Sequence, residues 1–176
     1  MNSRPLVPLC AVVLVGCTHH SGPENQAAAA PASHEARASV AKGICPLTLP
    51  NGRTPPNGKW SGMNHGNGKI WTALWPHDVV IATPDEIEKD GSIGMKWPWW
   101  RGPKGALRIT GRRLDDNAGP LVADISRSYG RSGFQPSGIF FPTEGCWQVT
   151  GAVGRARLTV VTLVLEASKY GLTEKP

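Results

Sequence analysis

A chain of 176 residues with 19 Lys and Arg against 13 Asp and Glu carries a formal net charge of +6, and its length suits one domain with appendages better than two domains. With 40% hydrophobic and 18% charged residues the composition is globular, while 21 Gly and 16 Pro argue against a helical bundle and for short strands joined by many turns.

The first segment reads MNSRPLVPLCAVVLVGC, with Arg4 and the terminal amine ahead of an apolar run from Leu6 to Val15. That run is too short for a membrane-spanning helix and has the length of a signal-peptide core. It ends in Leu14, Val15, Gly16 and Cys17, which resembles the lipobox of bacterial lipoproteins at every position. The resemblance implies a signal peptide over 1–16, cleavage before Cys17, a lipid on the Cys17 sulfur and an acyl group on its new amine. Several acyl chains on one residue hold a protein firmly at a membrane. Thr18 at the next position implies the outer membrane of a double-membraned bacterium, with the folded part in the periplasm or at the surface. Such a location leaves no nucleic-acid partner. Loss of the signal with Arg4 leaves 18 basic residues against 13 acidic, a net +5.

After the lipidated cysteine, residues 17–42 form an Ala- and Pro-rich stretch in which Val40 is the one branched aliphatic and no aromatic occurs. It cannot bury enough apolar surface to offset its ordering entropy and is expected to be a flexible tether, holding the domain roughly 25 to 30 Å from its lipid. The folded domain is expected over 43–170, with a C-terminal tail at 171–176. Its opening, CPLTLPNGRTPPNGKWSGMNHGNG, is crowded with Pro, Gly and Asn and reads as turns. Strands are predicted at 69–75, 78–82, 92–97, 105–112, 121–126, 138–141, 146–152 and 155–166, each break carrying turn residues such as WRGPKG, DDNAGP and AVGR. In ALRITGRR, Leu107 and Ile109 alternate with Arg108, Thr110 and Arg112; in CWQVTG, Trp147 and Val149 oppose Cys146, Gln148 and Thr150. The last run becomes continuously apolar after Val160, which fits either a bulge or a strand buried on both faces.

The expected fold class is therefore all-β: a single antiparallel β-sandwich, with a small barrel as the alternative, preceded by a signal peptide and a disordered tether. The ending GIFFPTEGCWQVTGAVGRARLTVVTLVLE resembles the closing hairpin of bacterial immunoglobulin-like domains and is similar to small cell-envelope lipoproteins. That resemblance implies an immunoglobulin-like sandwich, with Phe140 and Trp147 as core anchors and PTEG as the hairpin turn. It implies no activity.

Candidates for chemistry are few. GRSG at 130–133 and DGSIG at 90–94 have the wrong spacing for a nucleophile elbow. Cys146 is open to three readings: nucleophile, metal ligand or half of a staple. With Cys10 leaving in the signal and Cys17 lipidated, Cys45 and Cys146 are the thiols left, and an exported pair reads first as a disulfide. His65 and His77, with Met63, Asp78 and Met95, are weak metal candidates without recognisable ligand spacing; no cofactor is expected. In KWPWWRG, Pro98 is expected to break any strand, leaving at least one ring of Trp97, Trp99 and Trp100 at the surface beside Arg101. Such a platform would suit a cell-wall glycan or an envelope protein, and the competing reading is that the rings cap the sandwich. Trp60, Trp71, Trp75 and Trp147 are read as core. Arg108, Arg112, Arg113, Arg155 and Arg157 would line solvent faces able to rest on anionic headgroups. The function expected is lipid-anchored binding or a structural role, with an exported copper or zinc carrier and an envelope hydrolase as alternatives.

Overall fold

The computed structural model describes residues 45–56, 58, 63–74 and 78–171. The predicted signal peptide, Cys17, the whole of the tether, Trp60, Trp75, His77 and most of the C-terminal tail lie outside the described residues. Nine strands follow in order: β1 Asn64–Gly66, β2 Ile70–Ala73, β3 Val79–Ala82, β4 Ile93–Arg101, β5 Arg108–Arg113, β6 Val122–Asp124, β7 Gly133–Phe141, β8 Gly145–Val153 and β9 Ala156–Glu166. They form an all-β sandwich of two sheets, one ordered β1-β2-β4-β7-β6 and the other β3-β9-β8-β5. All the pairings are antiparallel except β3 with β9, which runs parallel. That pair needs no tight turn, because the long chain between the two strands supplies the crossover.

Alternation builds the core. Along β4, Ile93, Met95, Trp97 and Trp99 point inward; Ile139 and Phe141 of β7 do the same, and Trp147, Val149 and Val153 of β8 meet them from the other sheet. The Phe141 and Trp147 rings meet edge to face across the two sheets, 5.4 Å between centroids. The sequence expectation placed Phe140 in this role; Phe140 falls on the opposite parity and is only half-buried. The chain also changes sheets between β7 and β8. Residues Pro142 to Glu144 are thus an inter-sheet crossing, and the closing hairpin is β8 with β9, turned at Gly154 and Arg155.

The apolar run in β9 is explained by burial on both faces. Its pairing with β8 keeps one register from Val153↔Ala156 to Gly145↔Val164, without a bulge. Val160 and Val164 face the main core, while Leu163 joins a second cluster on the outer face with Cys45, Val79, Ile81, Cys146 and Ala167. The segment from Cys45 to Thr48 covers that face: Thr48 exchanges backbone and side-chain hydrogen bonds with Val161. A disulfide between Cys45 and Cys146, Cα atoms 5.5 Å apart, ties it down.

Two expectations about chain-breakers are corrected. Pro98 does not end β4, which runs on to Arg101 as the central strand between β2 and β7. Pro98 lies directly opposite Pro136. Neither residue has an N–H, so this can only be a non-hydrogen-bonded position of the β4 and β7 ladder, where none is called for. Their nitrogens face outward, beyond the last paired residues of β2 and β6, whose ladders reach Trp99 and Gly138. Secondly, the turn-rich opening contains β1. It is held by Asn51, whose side-chain amide donates to the Gly66 carbonyl at 2.8 Å and accepts from the Gly66 N–H at 3.1 Å, as a neighbouring strand would.

Candidate functional site

The inward parity of β4 ends on a charge. Trp97 and Trp99 are fully buried and stack at 6.0 Å, and the next inward position is Arg101, 2% exposed. Three residues of the expected aromatic platform, Trp97, Trp99 and Arg101, are therefore interior. Because Pro98 leaves the strand unbroken, strict alternation turns Trp97 and Trp99 into the core and leaves Trp100, half-buried, as the ring on the outer face. Trp97 Nε1 donates to Thr72 Oγ1 at 2.7 Å, and that hydroxyl donates to the Pro98 carbonyl at 2.7 Å, so the buried indole is satisfied by the sheet itself. Trp147 is core as expected, while Trp71 is buried away from the main core, on the face where it covers Gly66 and Gly102.

Arg101 joins two loops at one end of the sandwich. Its Nη1 donates to the Gly105 carbonyl at 2.9 Å and its Nη2 to the Gly130 carbonyl at 2.6 Å. The loops are tied to each other by the Gly105 N–H donating to the Arg131 carbonyl at 2.8 Å. Gly105 has a φ of 150°, a conformation that suits glycine. Burial holds the Arg101 guanidinium below the usual arginine range, yet a guanidinium stays protonated in a protein. Arg101 makes none of the ion pairs found among the described residues.

A cavity of about 360 Å³ opens beside it, lined by Arg101 and Gln135 within and by the exposed Arg127, Tyr129 and Arg131 at its rim. Among the described residues, no carboxylate lines it. Gln135 Nε2 donates to the Ser126 carbonyl at 2.7 Å, while Gln135 Oε1 and Arg101 Nε are both buried without a hydrogen-bond partner among the described residues. The Arg101 guanidinium thus brings its charge to the inner end of the cavity, while these two atoms have almost no accessible surface of their own. Among the described residues that line the cavity, no nucleophile stands beside a base.

The other candidates are placed as follows. Both sulfurs of Cys45 and Cys146 are spent in the disulfide, which removes the nucleophile and ligand readings of Cys146. His65 Nε2 meets Asp78 Oδ1 at 2.8 Å, with both side chains almost wholly buried. Among the described residues Asp78 is the non-glycine residue with a positive φ, 58°, and its carbonyl accepts from Thr162 Oγ1 at 2.7 Å. The pair therefore fixes the strained entry into β3 and ties it to β9. Met95 packs in the main core, and among the described residues no group of three or more His, Cys, Asp or Glu side chains is placed to hold a metal. Of the arginines expected on strand faces, Arg108, Arg112, Arg155 and Arg157 are exposed, and Arg113 pairs with Asp115 at 2.7 Å. Arg101 was singled out in the sequence as partner to an aromatic surface; its place as a buried cation depended on parity through Pro98, which no local signal gave. No family model, no curated protein and no solved structure matches this chain.

Proposed function

We propose that this is a lipid-anchored protein of the bacterial cell envelope that acts by binding, through an immunoglobulin-like sandwich held away from the membrane on a tether. The observation that carries this reading is the sequence Leu14-Val15-Gly16-Cys17 at the end of a signal-like apolar run. The disulfide supports it, since such bonds form and persist in oxidising compartments such as the periplasm. A basic outer face with Arg108 and Arg112 on β5 and Arg157 on β9, the two strands that flank β8, suits a position near anionic headgroups or acidic envelope polymers. The partners are the membrane, through the lipid, and an envelope glycan or protein.

Metabolic labelling tests the anchor. The full chain, expressed in a double-membraned bacterial host fed radiolabelled palmitate, is expected to carry label and to sediment with membranes; Cys17→Ser is expected to do neither. An unlabelled wild-type chain in the soluble fraction would overturn the reading.

A further inference from the structure

We infer that the end of the sandwich carrying the β4–β5 and β6–β7 loops docks an acidic polysaccharide, a chain of sugars bearing carboxylates; that the polymer belongs to the cell envelope rests on the reading above. The topology sorts the loop charges by end. Four loops meet at this end: 67–69 between β1 and β2, 102–107 between β4 and β5, 125–132 between β6 and β7, and the turn at 154–155 between β8 and β9. The Gly102 N–H donates to the Lys69 carbonyl, the Gly105 N–H donates to the Arg131 carbonyl, and Gly105 lies against Val153, so the four are neighbours. They carry Lys69, Lys104, Arg127, Arg131 and Arg155, all exposed, and no Asp or Glu. Arg108 and Arg157, near the starts of β5 and β9, extend the charge onto the strands. None of these cations makes an ion pair among the described residues. At the opposite end, loops 83–92, 114–121 and 142–144 carry four, two and one carboxylates against one lysine, Lys89. A basic surface with no carboxylate of its own to offset it attracts polyanions.

Two features select a sugar polymer over a membrane surface. The rim of the cavity carries the Tyr129 ring, 41% exposed, together with Arg127 and Arg131. Tyr129 meets Phe134 edge to face at 6.4 Å between centroids, and Phe134 is itself 44% exposed. An exposed ring offers a flat apolar surface to the C–H face of a sugar, while a guanidinium fork beside it suits the carboxylate. At about 360 Å³ the cavity takes one sugar unit. The second feature is where the anchor joins. In the anchored protein the chain from the lipid enters the sandwich at Cys45, bonded to Cys146 at the acidic end, about 23 Å along β8 from Val153. The basic end is therefore the one remote from the anchor, where a polymer beyond the membrane meets it.

The test is the fluorescence anisotropy of a labelled short oligomer of galacturonic acid, titrated with the full chain in non-ionic detergent at about 0.1 M salt, where remote charges are screened. Saturable binding is expected, at least about tenfold tighter than that of the methyl-esterified oligomer, its neutral twin. The triple variant Lys104→Gln, Arg127→Gln, Arg131→Gln is expected to weaken binding at least about tenfold. Removing the same charge elsewhere, with Lys89→Gln, Lys96→Gln and Lys169→Gln, is expected to leave the affinity within about twofold. Tyr129→Ala changes no charge and is expected to weaken binding about threefold. Equal losses in the two triple variants, an esterified oligomer that binds as tightly as the acid, or an unchanged affinity in Tyr129→Ala would each overturn the proposal. So would displacement of the oligomer by phosphatidylglycerol added to the micelles at matched phosphate, the result of a surface made for lipid. A chain that takes up palmitate yet fails to bind the oligomer loses this proposal and keeps its anchor.

Discussion

Trp99 occupies the space above Gly151 where a side chain would otherwise stand. A Cβ built on Gly151 would lie 2.3 Å from the indole Cζ3, so this glycine of β8 is there for the closeness of the opposite sheet. Gly151→Ala is expected to destabilise the fold by about 1 to 3 kcal/mol through overpacking, read as a lowered urea midpoint. Asp115 acts by charge. Burial pushes its carboxyl up, but the Arg113 guanidinium at 2.7 Å and backbone N–H groups outweigh this and hold it below the ordinary carboxylate value. A depressed folded value means that its contribution is complete above the unfolded value, about 3.9, and fades as pH falls through the folded one. The stability difference between the wild type and Asp115→Asn is therefore expected to stay level from pH 7 to about 5 and to shrink below about 4. Urea midpoints taken over that range check it.

At the scale of elements, β4 and β7 hold the sandwich through nine paired positions, with Pro98 facing Pro136 among them. Since neither nitrogen is asked to donate within that pair, restoring an N–H at either position gains no ladder bond there. Pro98→Ala and Pro136→Ala are each expected to change stability by no more than about 1 kcal/mol, chiefly by freeing the unfolded chain. A loss several times larger, in chemical denaturation, would mean that the ring of Pro98 or Pro136 is itself a packing element. The hairpin of β8 and β9 differs in kind. Its register is fixed by the two-residue turn at Gly154 and Arg155 and by the demand that Val149, Val153, Val160 and Val164 all face one core.

For the molecule as a whole, the disulfide joins Cys45 to Cys146, the second residue of β8 at the open end of the closing hairpin, 101 positions away. It pins the covering segment over an outer face that would otherwise expose Val79, Ile81 and Leu163. Chain entropy for a loop of that size is worth about 4 to 5 kcal/mol. In a chain carrying Cys10→Ser and Cys17→Ser, no thiol is expected to react until a reductant is added, and reduction is expected to lower the melting temperature markedly. A free thiol in the unreduced protein, found by thiol titration, would contradict the bond.

Much of the fold was legible because alternation is written locally. Leu107 and Ile109 against Arg108 and Thr110, or Trp147 and Val149 against Gln148 and Thr150, need no knowledge of a partner strand to reveal a half-buried strand, and in each the expected side is the buried one. The cysteine arithmetic was legible too, once two cysteines were assigned to the N-terminal segment. The fate of Pro98 was not, since its tolerance depends on facing Pro136, a residue 38 positions away that only pairing brings opposite. With it went the parity of Trp97 and Trp99, which leaves Trp100 as the ring of that cluster on the outer face. The same non-local step placed Arg101 in the interior beside Gln135, because a charge is buried only where neighbouring loops bring carbonyls to it. The sequence alone determined an all-β chain of alternating strands with a paired-cysteine staple; tertiary structure decided which arginine became the buried cation, since burial is a property of what packs around a side chain.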